Sequence, residues 1–226
     1  MRTLIYVPVI HSSADLGSIA KEVAKRGVAD LGQELWEKHR KTVEGFWNVV
    51  SDYFDSMDVK GVKIYQDGMV ADDEVGKKIA EDTAKAGSKN YQLILKLLDR
   101  GAVLVKTEDF KLVKKEYDRL HAITQAKSIT RKIIAFIKYK LVKATLLNKR
   151  DAFIAQKIDE TLGPDEKGIL FVGAFHRIKK RLPKSIRVRE IKEIVKVKTY
   201  QRLLPFYSRY HKQFDKLGRY LVSEIT

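Results

Sequence analysis

Short, nearly unbroken apolar runs punctuate a chain that is otherwise patterned for helices. Leu4-Ile-Tyr-Val-Pro-Val-Ile10, Ala102-Val-Leu-Val-Lys106 and Ile169 to Ala174 are too apolar for a strand with one wet face and too short for a helix. Such runs predict strands covered on both sides, as in a parallel sheet. Val62-Lys-Ile-Tyr65 is a shorter run of the same kind and leads into the polar turn Gln66-Asp67-Gly68. The expected strands are therefore 3–10, 62–66, 102–106 and 169–174, with Pro8 suggesting an edge position or a bulge.

Between these runs the period changes to that of helices. Residues 18–54 read as mainly helical, with Gly27, Gly32 and Gly45 as candidate breaks and with Trp36, Phe46, Trp47 and Phe54 as core. Ser13 or Asp15 is expected to cap a helix starting near Leu16. Asp72-Asp-Glu74 marks another helix start, where negative charge favours the dipole. Tyr91, Ile94, Leu95 and Leu98 give a helix over 88–98, closed by Gly101 at C′. From Phe110 to Thr161 the chain reads as long helices. There Ile129, Ile133, Phe136, Ile137, Leu141 and Val142 form an apolar stripe beside Arg131, Lys132, Lys138, Lys140 and Lys143. That stripe suits a membrane or nucleic acid, and better a helix packed on the sheet. Partial alternation allows a strand at 186–188 or 194–198. Leu203, Tyr207, Tyr210, Phe214, Leu217 and Leu221 mark an amphipathic C-terminal helix that docks by its apolar side.

Strands alternating with helices give an α/β fold: a mainly parallel central sheet flanked by helices, with a helical insertion and a basic C-terminal helical extension. The 226 residues read as a single domain over 1–226, mainly helical at 110–160 and with the basic extension at 177–226. The absence of cysteine excludes disulfides and thiolate metal sites. The Leu4–Ile10 run is too short to span a membrane, no transmembrane segment is expected, and His-Ser-Ser-Ala-Asp does not resemble a signal-peptide cleavage region. The expected location is cytoplasmic.

Charge divides the chain. Residues 1–100 hold 15 Lys/Arg against 16 Asp/Glu, whereas residues 101–226 hold 30 against 13, and the total is +16. Arg177 to Arg202 alone has 11 basic and two acidic residues. This favours a polyanion, nucleic acid first, as partner of that stretch. Against it stand the lack of a recognised nucleic-acid motif and a single aromatic there, Tyr200.

The chemistry lies where the expected strands end, at His11, Asp67, Glu108 and His176. Parallel strands bring all their carboxyl ends to one edge, where α/β sheets bind ligands. Two imidazoles with carboxylates suit a divalent metal held by His11, His176 and Asp67, or a metal-free acid/base site. No HExxH, P-loop or GxGxxG spacing occurs.

Asn148-Lys-Arg150-Asp151-Ala-Phe-Ile-Ala155 and Gly173-Ala-Phe-His176 resemble the closing motifs of the TraB/Tiki group, more distantly related to ChaN-like and erythromycin-esterase-like proteins. Val7-Pro8-Val9-Ile10-His11 stands at the place of that group's first GxxH, with Val7 or Pro8 at the glycine; Asp67 stands where a glutamate is usual. The resemblance covers roughly residues 148–176. It implies a hydrolase-like scaffold, a metal-dependent peptidase or a metal-free esterase. In it His11 and His176 act as ligands or acid/base groups, Asp67 or Glu108 as the carboxylate, and Arg150 as holder of an anion or oxyanion. Arg150 and Asp151 read equally well as a surface pair or helix cap. The alternative to a hydrolase is a non-enzymatic polyanion-binding protein.

Overall fold

The computed structural model describes residues 1–12, 14–15, 20–125 and 128–225. Five parallel strands form one sheet: β1 (Arg2–Val9), β2 (Lys63–Gln66), β3 (Val103–Val105), β4 (Lys167–Gly173) and β5 (Ile186–Glu190), in the order β3-β2-β4-β1-β5. The four expected strands are present, and the 186–188 alternative is the one used. Residues 194–198 belong instead to a helix, α7 below. β4 is the central strand, buried from Gly168 to Gly173.

Pro8 is in no bulge, and although β1 is an inner strand it is paired at Pro8 with β4 alone, so the position is locally an edge. Alternate residues of a strand direct their N–H groups to the same side. Ile191 donates to the Tyr6 carbonyl on the β5 side, so Pro8, two residues on, lacks its N–H on that side too. Pairing with β5 has ended by then, at Tyr6, and the missing donor disrupts no ladder bond.

Two cores cover the sheet. Ile5, Val7, Val9, Ile64, Ile169 and Phe171 face one side, and Leu4, Tyr6, Tyr65, Leu170 and Val172 face the other. The first side is packed by α2 (Gln33–Asp55), through Phe46, Trp47, Val50 and Phe54, and by α4 (Lys89–Asp99). The helices α7 (Ile194–Leu203) and α8 (Tyr207–Leu221) add Val197, Tyr200, Phe214 and Leu221 to this core, so the amphipathic tail docks as its spacing predicts. The basic segment after residue 177 thus supplies an edge strand and part of the main core. α3 (Asp73–Lys85) adds Ala80 and Ala84 to this core, and α1 (Ala20–Leu31) packs on α2.

Of the three candidate breaks in 18–54, only Gly32 separates helices, at a left-handed φ of 81°. Gly27 lies within α1, and its lack of a side chain makes room for the Trp36 ring, to which a Cβ would come within 2.3 Å. The cap at Ser13 and the helix start at Leu16 lie outside the described residues. Asp15 instead accepts from the Ser12 N–H at 2.6 Å and from the Ser88 hydroxyl.

α5 (Phe110–Thr124) and α6 (Ile129–Thr161) pack on each other, and only the C-terminal half of α6 reaches the sheet, through Ile154, Ala155 and Ile158. This corrects the expectation that the basic apolar stripe packs on the sheet. Tyr139 and Leu146 are buried, while Phe136, Ile137 and Leu141 are exposed because their turns lie beyond the sheet edge. Among the described residues no helix is long and apolar enough to cross a membrane.

Candidate functional site

The strand order places Glu108, Asp67, His176 and His11 in that sequence along one edge. Asp67 extends the ladder by one bond, its N–H donating to the Phe171 carbonyl at 2.8 Å. Glu108 is pinned by its own N–H to the Met69 carbonyl at 2.9 Å. His176 follows the tight turn after β4, closed by its N–H to the Gly173 carbonyl. Arg150 and Asp151 arrive from the opposite face, on α6.

Arg150 directs its fork at three carboxylates. Nε donates to Glu108 Oε1 and Oε2 at 3.0 and 3.1 Å, Nη2 to Asp67 Oδ1 and Glu108 Oε1 at 2.5 Å each, and Nη1 to Glu116 Oε2 at 2.5 Å. Most of its donors are committed to these carboxylates, so Arg150 ties Asp67, Glu108 and Glu116 together. Burial opposes its charge, but Asp67 and Glu108 outweigh that and raise its pKa further.

His176 lies between two acids. Nδ1–H donates to Asp151 Oδ1 at 2.6 Å, and Nε2 faces Asp67 Oδ2 at 3.3 Å. Burial works against the imidazolium, yet Asp67 and Asp151 together push its pKa up to about 10. Asp67, which burial alone would raise, is held well below the usual carboxylate range by His176 and then Arg150. Burial pushes Glu108 up to about 7 against the pull of Arg150, with Asp67 adding to the rise. The result is a buried chain of acids and bases held by hydrogen bonds and, between His176 and Asp67, by an ion pair at 3.3 Å, as buried charges require.

His11 is the accessible member, its side chain 40% exposed. Its Nδ1 lies 3.8 Å from Asp15 Oδ2, an ion-pair distance too long for a hydrogen bond. Its Nε2 points toward the chain at Gly173. A methyl group built on Gly173 would lie 3.4 Å from His11 Nε2 and 3.6 Å from both Asp67 Oδ2 and His176 Cδ2. Glycine here leaves room at the meeting point of three of the expected groups. A cavity of about 320 Å³ opens on the His11 side alone, lined by His11, Trp36, His39, Val43, Trp47 and Lys89. Burial lowers the His39 pKa to about 4, so its ring there is neutral.

All five expected residues therefore lie along the edge, but in different roles. His11, Asp67 and His176 meet around Gly173, while Glu108 and Arg150 stand behind them. The donor set does not fit a metal as arranged. A ligating imidazole must be neutral with a lone pair on the metal, whereas both His176 nitrogens face carboxylates that keep it protonated. Among the described residues no group of three histidine, aspartate or glutamate side chains is placed to hold a metal ion. Sequence reasoning missed Asp151 as the partner of His176, Glu116 as a third carboxylate on Arg150, and Asp15 behind His11. Adjacency to Arg150 was the one available signal, for Asp151. The buried Tyr6 hydroxyl also lies near, unpartnered and raised in pKa by burial and then by Asp151 and Asp67.

Compared with protein-family models, curated proteins and solved structures, the chain matches none.

Proposed function

We propose that this edge is a metal-independent hydrolytic site in which His11 is the general base. The observation that carries the reading is the meeting of His11 Nε2, Asp67 Oδ2 and the His176 ring around Gly173, beside an aromatic-lined cavity. His11 Nε2 takes a proton from water as the oxygen attacks an ester or amide carbonyl. The proton then passes to the leaving group as the carbon–heteroatom bond breaks. Asp67 stabilises the His11 imidazolium formed on the way, and the Asp15 carboxylate, 3.8 Å from Nδ1, adds favourable charge from the other side of the ring without a hydrogen bond to it. His176 keeps Asp67 ionised and, with Arg150, fixes its carboxylate. Resemblance to the TraB/Tiki and erythromycin-esterase-like proteins supports the same class, at the metal-free end of it.

The test is a panel of activated esters and amides, hydrolysed by the native chain and by His11→Ala and Asp67→Asn. Loss of a general base costs about 10²–10⁴ in rate. His11→Ala is expected to lose at least a hundredfold in kcat, and Asp67→Asn less. Turnover unaffected by His11→Ala, or absent across the panel, overturns the reading.

A further inference from the structure

The basic stretch from Arg177 to Arg202 divides into cations that serve the fold and cations that do not. Lys179 pairs with Glu190 at 2.6 Å, Lys196 with Glu193, and Arg181 with the Asn148 side chain. Lys192 is buried and donates to the Tyr220 and Ser223 carbonyls at 3.0 and 2.6 Å. None of the other seven has a carboxylate partner among the described residues, and four of them, Arg177, Lys180, Lys198 and Arg202, lie around the turn after His176 and the facing side of α7. These four converge. Lys198 Nζ and Arg202 Cζ, one turn apart on α7, lie 5.3 and 5.8 Å from the centre of the Phe175 ring. Arg177 and Lys180 flank the short turn that follows His176. Burial lowers the Lys198 pKa, and the charges of Arg202, Arg177 and Lys180 lower it further, as expected where like charges are gathered. Phe175, at their centre, is 41% exposed and is the residue immediately before His176.

Two of these cations sit against the Phe175 ring and the other two belong to the turn that follows it, so the surface there is locally positive and favours an anion. We propose that Arg177, Lys180, Lys198 and Arg202 form an anion site around Phe175 that takes closely spaced phosphate groups and holds them beside His176. Arg177 and Arg202 offer planar forks suited to phosphate oxygens, and the two lysines offer point charges. A single carboxylate would leave most of these donors unused, whereas an oligophosphate or two adjacent backbone phosphates would not. The relevance of this site to turnover rests on the hydrolase reading, but binding is measured apart from it.

The probe is tripolyphosphate, with a single-stranded oligonucleotide as the second arm, titrated calorimetrically at low and at physiological salt. Tripolyphosphate is expected to bind, more weakly as salt rises. Lys198→Glu with Arg202→Glu should cost at least about tenfold in affinity, as opposite charge now faces the ligand. Arg177→Glu, in the turn rather than on α7, should do the same should the α7 variant fold poorly. Reversal of Lys111 and Lys115 on α5 should leave affinity within about twofold. Oligonucleotide binding that is tighter than tripolyphosphate and equally sensitive to the same variants identifies the source as nucleic acid and supports the site. Equal losses from the α5 and α7 reversals, or no binding at low salt, overturn it. His11→Ala should bind tripolyphosphate unchanged, so a missing hydrolytic activity leaves this result standing.

Discussion

At the scale of the residue, the site is governed by burial more than by any single contact. Arg150 has one guanidinium for Asp67, Glu108 and Glu116, so removing it leaves three mostly buried acids without their shared cation. Breaking a buried pair by losing one partner costs about 3–5 kcal/mol. Arg150→Ala is expected to fall in that range by urea denaturation, and Arg150→Lys to recover only part, because an ammonium cannot reproduce the fork. Gly173 behaves differently. An added methyl meets its neighbours at 3.4–3.6 Å, ordinary contact, so Gly173→Ala should fold with little loss. It would nonetheless occupy the space between His11 and Asp67. Its kcat/KM on any substrate found should drop at least tenfold while the melting temperature hardly moves.

At the scale of the element, α6 shows where local pattern stops being informative. Its apolar positions continue at helical spacing from Ile129 to Ile158, but the sheet lies under only the last three turns. Ile154 is fully buried and Leu141 is 75% exposed. Ile154→Ala should therefore cost about 2–5 kcal/mol, and Leu141→Glu within about 0.5 kcal/mol, both by equilibrium unfolding. The same principle explains the misread 194–198 segment. Ile194, Val195 and Val197 partly alternate with charge, yet Val197 and Tyr200 fall on one helical face that closes the first core. Short apolar runs bounded by turns were legible as strands because length alone separates them from helices. Alternation over four residues was not enough.

At the scale of the whole molecule, parallel pairing was legible and strand neighbourhood was not. Uniformly apolar runs implied a doubly covered sheet, and parallel strands put His11, Asp67, Glu108 and His176 on one edge. That β4 inserts between β1 and β2 depends on contacts across more than a hundred residues, which no local spacing encodes. The partners that were missed, Asp151 of His176 on α6 and Glu116 of Arg150 on α5, were out of reach for the same reason. The assembled charge gives stability a definite pH dependence. His176, raised from 6.5 to about 10, contributes fully below pH 6.5 and loses that contribution as pH rises toward 10. Glu108, raised from 4.5 to about 7, adds a decline over that lower interval. Asp67, depressed below 3.8, contributes above its usual range and loses it as acid is added. The melting temperature should fall steadily from about pH 5 to pH 10 and again below about pH 4. His176→Gln should remove the part of the slope above 6.5.

The protonation state of His176 decides between a charge-locked, metal-independent site and a metal centre. It is read directly from the imidazole nitrogen shifts of ¹⁵N-labelled protein as pH is raised, with and without zinc. His176 should show two protonated nitrogens through pH 8, unchanged by equimolar zinc. A His176 ring that is neutral at pH 7, or that shifts together with His11 when zinc is added, would contradict the account.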